Sequence, residues 1–215
     1  MNDLKVMKTP RIEKKPSSLR YYQDGPPSRV ETSAWKLSLS YLGGEKNFAF
    51  SLDDIKSIPK RVENRRMVCV CNWSIRRTWG GIYLKDLFDH AGLTEDDYAG
   101  LFLKQLSIGT PEKGKYDSTI RIDDAIARNA MLIYEVDGEA LPLEQGYPLR
   151  LIDFGLYGYK GVKGLSELQI STEFELGHWE QYAGYALEGK VKPKKYFIVD
   201  LKEHRFIEKA EVIDF

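Results

Sequence analysis

Cysteine and histidine are scarce in this sequence, with two cysteines and three histidines among 215 residues. Cys69 and Cys71 are one residue apart on a predicted strand, where neighbours on one face lie about 6 to 7 Å apart, too far for a disulfide useful to folding. The spacing therefore predicts free thiols, which suit a reducing compartment. His90, His178 and His204 show no ligand spacing near the cysteines, which disfavours a zinc site.

Net charge and long apolar runs are also absent. The 32 basic and 32 acidic residues cancel, so the chain has no net field that would attract nucleic acid. No run of about 18 apolar residues occurs, which argues against a membrane-spanning protein. The first residues lack the apolar stretch of a signal peptide, which predicts a cytoplasmic location, or an extracytoplasmic one if a leader was removed.

The residues that are present suffice for a folded core, because 42% of them are hydrophobic. Alternating and helical apolar patterns follow one another irregularly, which predicts an α+β fold of mixed, mostly β sheets with short helices. Strands are predicted over 33–41, 62–72, 101–108, 131–136, 149–154 and 165–172, and helices over 51–58, 83–91 and 123–130.

Three segments are predicted along the chain. Prolines interrupt any regular period in residues 1–32, which predicts an extended N-terminal arm. Residues 33–186 contain the predicted strands and helices and form the single domain. Residues 187–215 are a C-terminal extension with one predicted strand and a tail.

Cys69 lies on a predicted strand in which Met67, Cys69 and Cys71 share one face, provided that the strand is regular. By residue type alone, a strand cysteine is most often a small buried hydrophobic side chain. The Cys-x-Cys pair is alternatively a redox thiol pair. The residues by themselves leave both interpretations open.

A glycine-rich stretch at 145–163 carries Arg150, Lys160 and Lys163. Glycines let the backbone approach a phosphate, while arginine and lysine bind its oxygens, so the stretch predicts an anion site. On composition alone, a glycine- and tyrosine-rich loop with lysines is more often a solvated turn.

Six blocks of the sequence, taken in order, resemble the molybdopterin domain of sulfite oxidase-like oxidoreductases, a family that includes the catalytic subunit of the bacterial protein-methionine-sulfoxide reductase. The resemblance spans roughly residues 35–185. The blocks are Cys-Val-Cys-Asn-Trp-Ser at 69–74, Trp-Gly-Gly-Ile-Tyr-Leu at 79–84, Met-Leu-Ile-Tyr-Glu-Val-Asp-Gly-Glu-Ala-Leu-Pro at 131–142, Gly-Tyr-Pro-Leu-Arg-Leu at 146–151, Tyr-Gly-Tyr-Lys-Gly-Val-Lys at 157–163, and Gly-His-Trp-Glu at 177–180 followed by Gly-Tyr at 184–185.

Carried over position by position, the resemblance implies that Cys69 is the molybdenum ligand and a catalytic residue, with Tyr157 as a second catalytic candidate. Arg150 and Lys163 would bind the pterin and its terminal phosphate, with Lys160 assisting. The remaining cofactor-binding candidates are Asn72, Trp73, Tyr116, Ser118 and Gln145.

The implied cofactor is molybdenum-molybdopterin, in which the metal needs one further soft anionic donor that a thiolate supplies. The implied reaction is oxygen-atom transfer to or from a small sulfur- or nitrogen-containing substrate such as sulfite or a sulfoxide, with the direction open. No haem-binding motif or dimerisation domain is evident. The expected partner is therefore a separate electron carrier, namely a cytochrome, flavoprotein or quinone-linked protein, and the expected state is a monomer.

Two alternatives belong to other functional classes. Gly161 and Gly164 depart from residues that are often serine and tryptophan in the family, which motivates a non-enzymatic binding module that keeps the fold. A thiol redox protein would require both Cys69 and Cys71, whereas the molybdenum hypothesis requires only Cys69.

Overall fold

A computed structural model describes residues 5–8, 30–110 and 114–208. Its strands are β1 Lys5–Val6, β2 Leu37–Tyr41, β3 Lys46–Phe50, β4 Arg61–Cys69, β5 Trp73–Tyr83, β6 Phe102–Ser107, β7 Asp117–Arg121, β8 Met131–Val136, β9 Glu139–Ala140, β10 Arg150–Ile152, β11 Leu165–Ser171, β12 Glu173–Phe174, β13 Lys194–Ile198 and β14 Glu203–Ile207. Its α-helices are α1 Leu52–Ser57, α2 Leu84–His90, α3 Glu95–Tyr98, α4 Ile122–Ala127 and α5 His178–Ala183.

A seven-stranded sheet is organised around β5, the longest described strand at 11 residues. Strand β4 pairs antiparallel with β5 along its length. On the other side of β5, its first residues pair parallel with β13 and its last residues pair antiparallel with β8. The sheet continues through β10 at one end and through β14 at the other.

A second sheet of five strands has the order β3-β2-β11-β6-β7. One apolar core contains residues of both sheets and of all five helices, among them Leu39, Val68, Phe88 and Leu168. In the part of the chain that the structure describes, no helix is long and apolar enough to cross a membrane.

Local sequence signals explain several of these elements. Ser51 caps α1 by accepting a hydrogen bond from the backbone of Asp54, whose carboxylate accepts one from the Ser51 backbone in return. Asp137 and Gly138 both have positive φ in the tight turn between β8 and β9. The prediction of an α+β fold with mostly β sheets and short helices is confirmed.

The strand predicted over 62–72 ends earlier, at Cys69. Residues 70–72 form a turn, and Asn72 adopts a φ of 68°. The prediction that Cys71 shares a strand face with Met67 and Cys69 is therefore wrong, because the regular strand on which it depended does not reach residue 71.

The predicted N-terminal arm lies mostly outside the described residues, which include only 5–8 and 30–32 of it. Residues 187–215 contribute β13 and β14, and both strands belong to the seven-stranded sheet. The predicted boundaries at 32 and 186 stay predictions.

The hairpin of β13 and β14 is tied to β4 by an ion pair. The Arg66 guanidinium is 1% exposed and donates two hydrogen bonds, of 2.8 and 2.7 Å, to the carboxylate of Asp200. The backbone N–H of Arg76 donates to the same carboxylate at 3.1 Å. These donors lower the pKa of Asp200 from 3.8 to about 2.

We expect Asp200→Asn to destabilise the protein by about 1 kcal/mol at pH 7, because one pKa unit corresponds to about 1.4 kcal/mol and solvent screens part of the effect at this partly exposed carboxylate. The folded-state pKa of Asp200 is depressed, so its contribution is complete above about pH 4 and is lost as the pH falls towards 2. Urea unfolding of wild type and variant at pH 7 and pH 3 measures both effects.

The matched control is Asp89→Asn, which breaks an ion pair with Lys85 in which both side chains are half exposed. Exposed pairs of this kind contribute about 0 to 1 kcal/mol. A difference between wild type and Asp200→Asn that stays the same from pH 7 to pH 3 would contradict the assigned role of the carboxylate.

Candidate functional site

Cys69 is the last residue of β4, directly before the turn at 70–72. The turn closes with Cys69 and Trp73 as cross-strand partners, and the backbone N–H of Cys71 donates to the Cys69 sulfur at 3.4 Å. Cys69 is partly buried, whereas Cys71 is exposed. The local chain geometry thus gives the two thiols different environments.

Burial is the main cause that raises the pKa of the Cys69 thiol to about 12. The neighbouring Cys71 thiol adds to this increase, while the Cys71 backbone N–H and the charge of Lys163 oppose it. A thiol–disulfide catalyst needs a lowered thiol pKa. With this raised pKa, the Cys69 thiol keeps its proton at neutral pH unless a metal ion binds the sulfur.

Two cationic side chains lie near Cys69 and the end of β4. They are Arg150, beside Met67, and Lys163, whose pKa is affected by Cys69. Their backbones form an antiparallel bridge. Burial, and then the charge of Arg150, lower the pKa of Lys163 to about 8, while the Cys69 thiolate would raise it. Arg150 is 3% exposed, and its guanidinium lies 3.7 Å from the Met67 sulfur. Two neighbouring cations of this kind suit the binding of an anion.

The cations are oriented by the short 3₁₀ turn at Leu143–Gln145. Arg150 donates to the carbonyl of Gln145 at 2.9 Å, and Lys163 donates to the carbonyl of Glu144 at 2.9 Å. The next residue, Gly146, has a φ of 113°, and a Cβ there would lie 3.1 Å from Arg150 and Lys163 atoms. Glycine is thus required for the turn to approach both cations.

Gln105 of β6, which the sequence did not point to, holds the loop that precedes Lys163. Its fully buried amide donates to the carbonyl of Lys160 at 2.9 Å and accepts from the N–H of Val162 at 3.1 Å. The Tyr116 hydroxyl donates to the carbonyl of Tyr159 on the same loop. Two buried side chains of the five-stranded sheet region therefore fix the backbone of this loop.

The structure brings some predicted site residues together and separates others. Two neighbouring parts of the chain hold six of the predicted residues. Cys69, Asn72 and Trp73 lie at the β4–β5 turn, and Gln145, Arg150 and Lys163 lie in the segment 145–163. Lys160 is turned away into the core, where its ammonium pairs with the fully buried Glu180 of α5. Ser118 is fully buried on β7, and Tyr116 acts through the loop backbone.

Tyr157 lies beside the site through its backbone, which forms a parallel bridge with Val68. Its hydroxyl is 2.8 Å from that of Tyr196 and accepts from the N–H of Lys192 at 3.1 Å. The phenol is thus engaged with the segment that leads into β13. Its predicted catalytic role stays a prediction.

Tyr185 was not among the predicted site residues, although it stood in the last block of the family resemblance. Its ring centroid lies 5.0 Å from that of Tyr159. Burial, followed by the nearby Cys71 and Cys69 thiols, raises the pKa of Tyr185 to about 12. The structure therefore places a protonated phenol close to both cysteines.

The residues present fit a molybdopterin group. Cys69 offers one soft sulfur donor, and the cations of buried Arg150 and partly buried Lys163 offer the donors that a phosphate requires. Gly146 lets the 143–146 turn pack closely against both cations, since a Cβ there would crowd Arg150 and Lys163. Among the residues that the structure describes, no group of three or more histidine, cysteine or acidic side chains is arranged to hold a metal.

A family model described as "Oxidoreductase molybdopterin binding domain" matches residues 24–179. An uncharacterized oxidoreductase of Bacillus subtilis, YuiH, is 29% identical over 79% of this chain and 77% of that protein. An Azospira oryzae protein provisionally named protein-methionine-sulfoxide reductase subunit YedZ1 is 27% identical over 74% of this chain and 58% of that protein. The sulfite oxidase of Gallus gallus is 26% identical over 75% of this chain and 40% of its own length.

Among solved structures, the crystal structure of the sulfane dehydrogenase SoxCD from Paracoccus pantotrophus is similar, with a TM-score of 0.57. The match covers 70% of this chain and 41% of that chain at 20% sequence identity. A likeness at this identity concerns the fold, and it agrees with the predicted fold class.

We expect Gln105→Leu to destabilise the protein by about 2 kcal/mol or more, because one buried carbonyl and one buried N–H of the 160–162 loop would lose their partners. Urea unfolding measures the change. Gln169→Leu on β11 is the control, since the Gln169 amide donates to the neighbouring Glu167 side chain and, within the described residues, to no backbone group. Equal losses in the two variants would contradict a specific role of Gln105 in holding the loop.

Proposed function

Because the chain belongs to the oxidoreductase molybdopterin-binding-domain family, as its sequence blocks predicted, we propose that it is a molybdenum-dependent oxidoreductase. It transfers an oxygen atom, and hence two electrons, to or from a small sulfur- or nitrogen-containing substrate such as sulfite or a sulfoxide. The observation that carries the proposal is the partly buried thiol of Cys69 beside the cationic pair Arg150 and Lys163.

The bound group would supply the two-electron oxygen-atom chemistry. Cys69 would hold the metal through its sulfur, which loses its proton on binding. Arg150 and Lys163 would bind the phosphate of the pterin, where their mutual repulsion becomes attraction to a shared anion. The carbonyls of Glu144 and Gln145 keep both cations in place.

On the substrate side, we assign a role to Tyr185. Its phenol remains protonated at neutral pH, because its pKa is raised to about 12. It can therefore donate a hydrogen bond to an oxygen of a sulfur oxide near Cys69. Trp73 and Asn72 border the same turn.

Two of the similar proteins carry names that refer to sulfur oxides, a sulfite oxidase and a methionine-sulfoxide reductase subunit. The matched segments cover 58% and 40% of those two proteins. A sulfur oxide as substrate, a separate electron carrier as partner and a monomeric state are parts of the proposal. The cytoplasmic location stays a prediction.

The two cysteines separate this proposal from a thiol redox function. A thiol redox pair needs both sulfurs and a reactive thiolate, whereas burial raises the pKa of Cys69. Metal ligation needs only the partly buried Cys69 and leaves the exposed Cys71 dispensable.

We expect Cys69→Ser to lose most of its bound molybdenum and Cys71→Ser to retain the wild-type content, because only Cys69 supplies a ligand. Elemental mass spectrometry of proteins produced in a cofactor-competent host measures the metal per chain. Near-stoichiometric metal in Cys69→Ser, or equal losses in both variants, would contradict the ligand assignment. A wild-type protein without metal from such a host would contradict the proposed function itself.

We also expect the double variant Arg150→Ala/Lys163→Ala to retain less pterin after purification, since both phosphate-binding cations are removed. Fluorescence of the oxidised pterin released from the protein measures its content. The control is Lys36→Ala/Lys56→Ala, which removes two exposed lysines. Full pterin retention in the Arg150→Ala/Lys163→Ala protein would refute the assignment of these residues to the phosphate.

A further inference from the structure

One row of residues crosses the seven-stranded sheet from Cys69 to its edge. Cys69 is the register partner of Trp73 on β5, Trp73 is the partner of Phe197 on β13, and Phe197 is the partner of His204 on β14. Register partners on adjacent strands lie about 5 Å apart and point to the same face of a sheet. The Phe197 and His204 rings are in contact, with centroids 5.2 Å apart.

This row is distinct from the neighbouring one that enters the core. The neighbouring row consists of Val68, which precedes Cys69, Ser74, which follows Trp73, and Ile198, which follows Phe197. All three are fully buried. Cys69, Trp73 and Phe197 are all partly exposed, and His204 is exposed. The row therefore lies on the face of the sheet opposite to these buried residues, and it leads from the proposed metal ligand through Trp73 and Phe197 to the exposed His204.

The row ends on β14, an edge strand of the sheet. Phe206 is 57% exposed and is the register partner of Lys195, so both side chains share the face of the row. Leu201, in the turn between β13 and β14, is 43% exposed. Exposed apolar side chains rimmed by charges are typical of protein interaction surfaces.

The net charge of this edge is positive. Residues 190–207 contain six basic and two acidic residues in a chain whose net charge is zero. Both acidic side chains are already paired, Asp200 with Arg66 and Glu203 with Arg205. Among the described residues, the exposed side chains of Lys192, Lys195 and Lys202 form no ion pair. A partner with an acidic surface would complement them.

We propose that the open face of the β13–β14 hairpin, with Phe206 on β14, Leu201 in the turn and Lys192, Lys195 and Lys202 along the hairpin, is the docking surface for a small acidic electron-carrier protein. This inference rests on the proposed function. The connection between the docking face and Cys69 favours a redox partner over another acidic protein, because the carrier would sit at the end of the row that starts at the metal ligand.

Electron balance sets how the carrier is used. Each oxygen atom transferred exchanges two electrons with the substrate, so a one-electron carrier gives or takes them in two successive encounters. Reduction of a sulfoxide consumes two electrons and two protons and yields a sulfide and water, while oxidation of sulfite by water releases two electrons and two protons and yields sulfate. A transient, charge-steered complex suits two encounters in each turnover.

The test uses metal-loaded protein and a plant-type [2Fe–2S] ferredoxin as the acidic one-electron probe. We expect Lys195→Glu/Lys202→Glu to weaken ferredoxin binding at low ionic strength by about tenfold or more, and the difference to shrink as salt is added. Titration calorimetry measures binding, and stopped-flow absorbance measures how fast reduced ferredoxin is oxidised by the protein. Both quantities should fall together.

The matched control is Lys8→Glu/Lys36→Glu, which makes the same charge change at exposed residues that flank strands of the other sheets. Equal weakening in both double variants would overturn the docking proposal, since only net charge would then matter. A change in self-association of Lys195→Glu/Lys202→Glu without a change in ferredoxin binding would overturn it in favour of an edge that pairs with a second copy.

A second variant tests the apolar part of the docking surface separately from its charge. Phe206→Ser should weaken ferredoxin binding at all salt concentrations, because it removes apolar contact area and leaves the charges unchanged. Wild-type protein that carries molybdenum but does not bind ferredoxin more tightly than the variants do would refute the docking proposal and leave the proposed function intact. Wild-type protein without molybdenum would instead refute the proposed function.

Discussion

The pairing of β5 with three other strands is the constraint on which the rest of the structure depends. This strand pairs with β4 along its length, with β13 at its start and with β8 at its end. Gly81 makes the last pairing possible, since a Cβ there would lie 2.1 Å from the carbonyl oxygen of Leu132 on β8. Because β4 and β5 are joined by a turn of only three residues, their register fixes Cys69 at the corner where β13 also arrives.

Electrostatics around this corner are arranged in two different ways. Where a buried charge has a structural role, it has an opposite partner, as in Arg66 with Asp200 and Lys160 with Glu180. At the site itself, the backbones of Arg150 and Lys163 form a bridge, and each side chain donates to a backbone carbonyl. Holding two like charges near each other costs free energy that a bound anion would offset.

Local patterns in the sequence predicted much of the fold. The Ser51 cap and the Asp137–Gly138 turn depend on neighbouring residues and were predictable. Contacts between distant residues were not, because Gln105 reaches a loop 55 positions away and no periodicity signals such a contact. The direction of Lys160 is of the same kind, since its partner Glu180 lies on a later helix. Cys71 was misplaced because the left-handed conformation of Asn72, which ends the strand face, has no strong sequence signal.

The C-terminal hairpin shows why a segment that the sequence set apart matters to the site. Residues 187–215 were predicted as an extension, yet the backbone N–H of Phe197 donates to the carbonyl of Asn72 at 2.9 Å, within the turn that follows Cys69. Strand β13 therefore supports the Cys69 turn directly, while Asp200 anchors the same hairpin to Arg66. An edge strand that is held in this way can present Phe206 and its lysines without fraying. The stability of the Cys69 turn and the exposure of the neighbouring surface thus follow from one set of strand pairings.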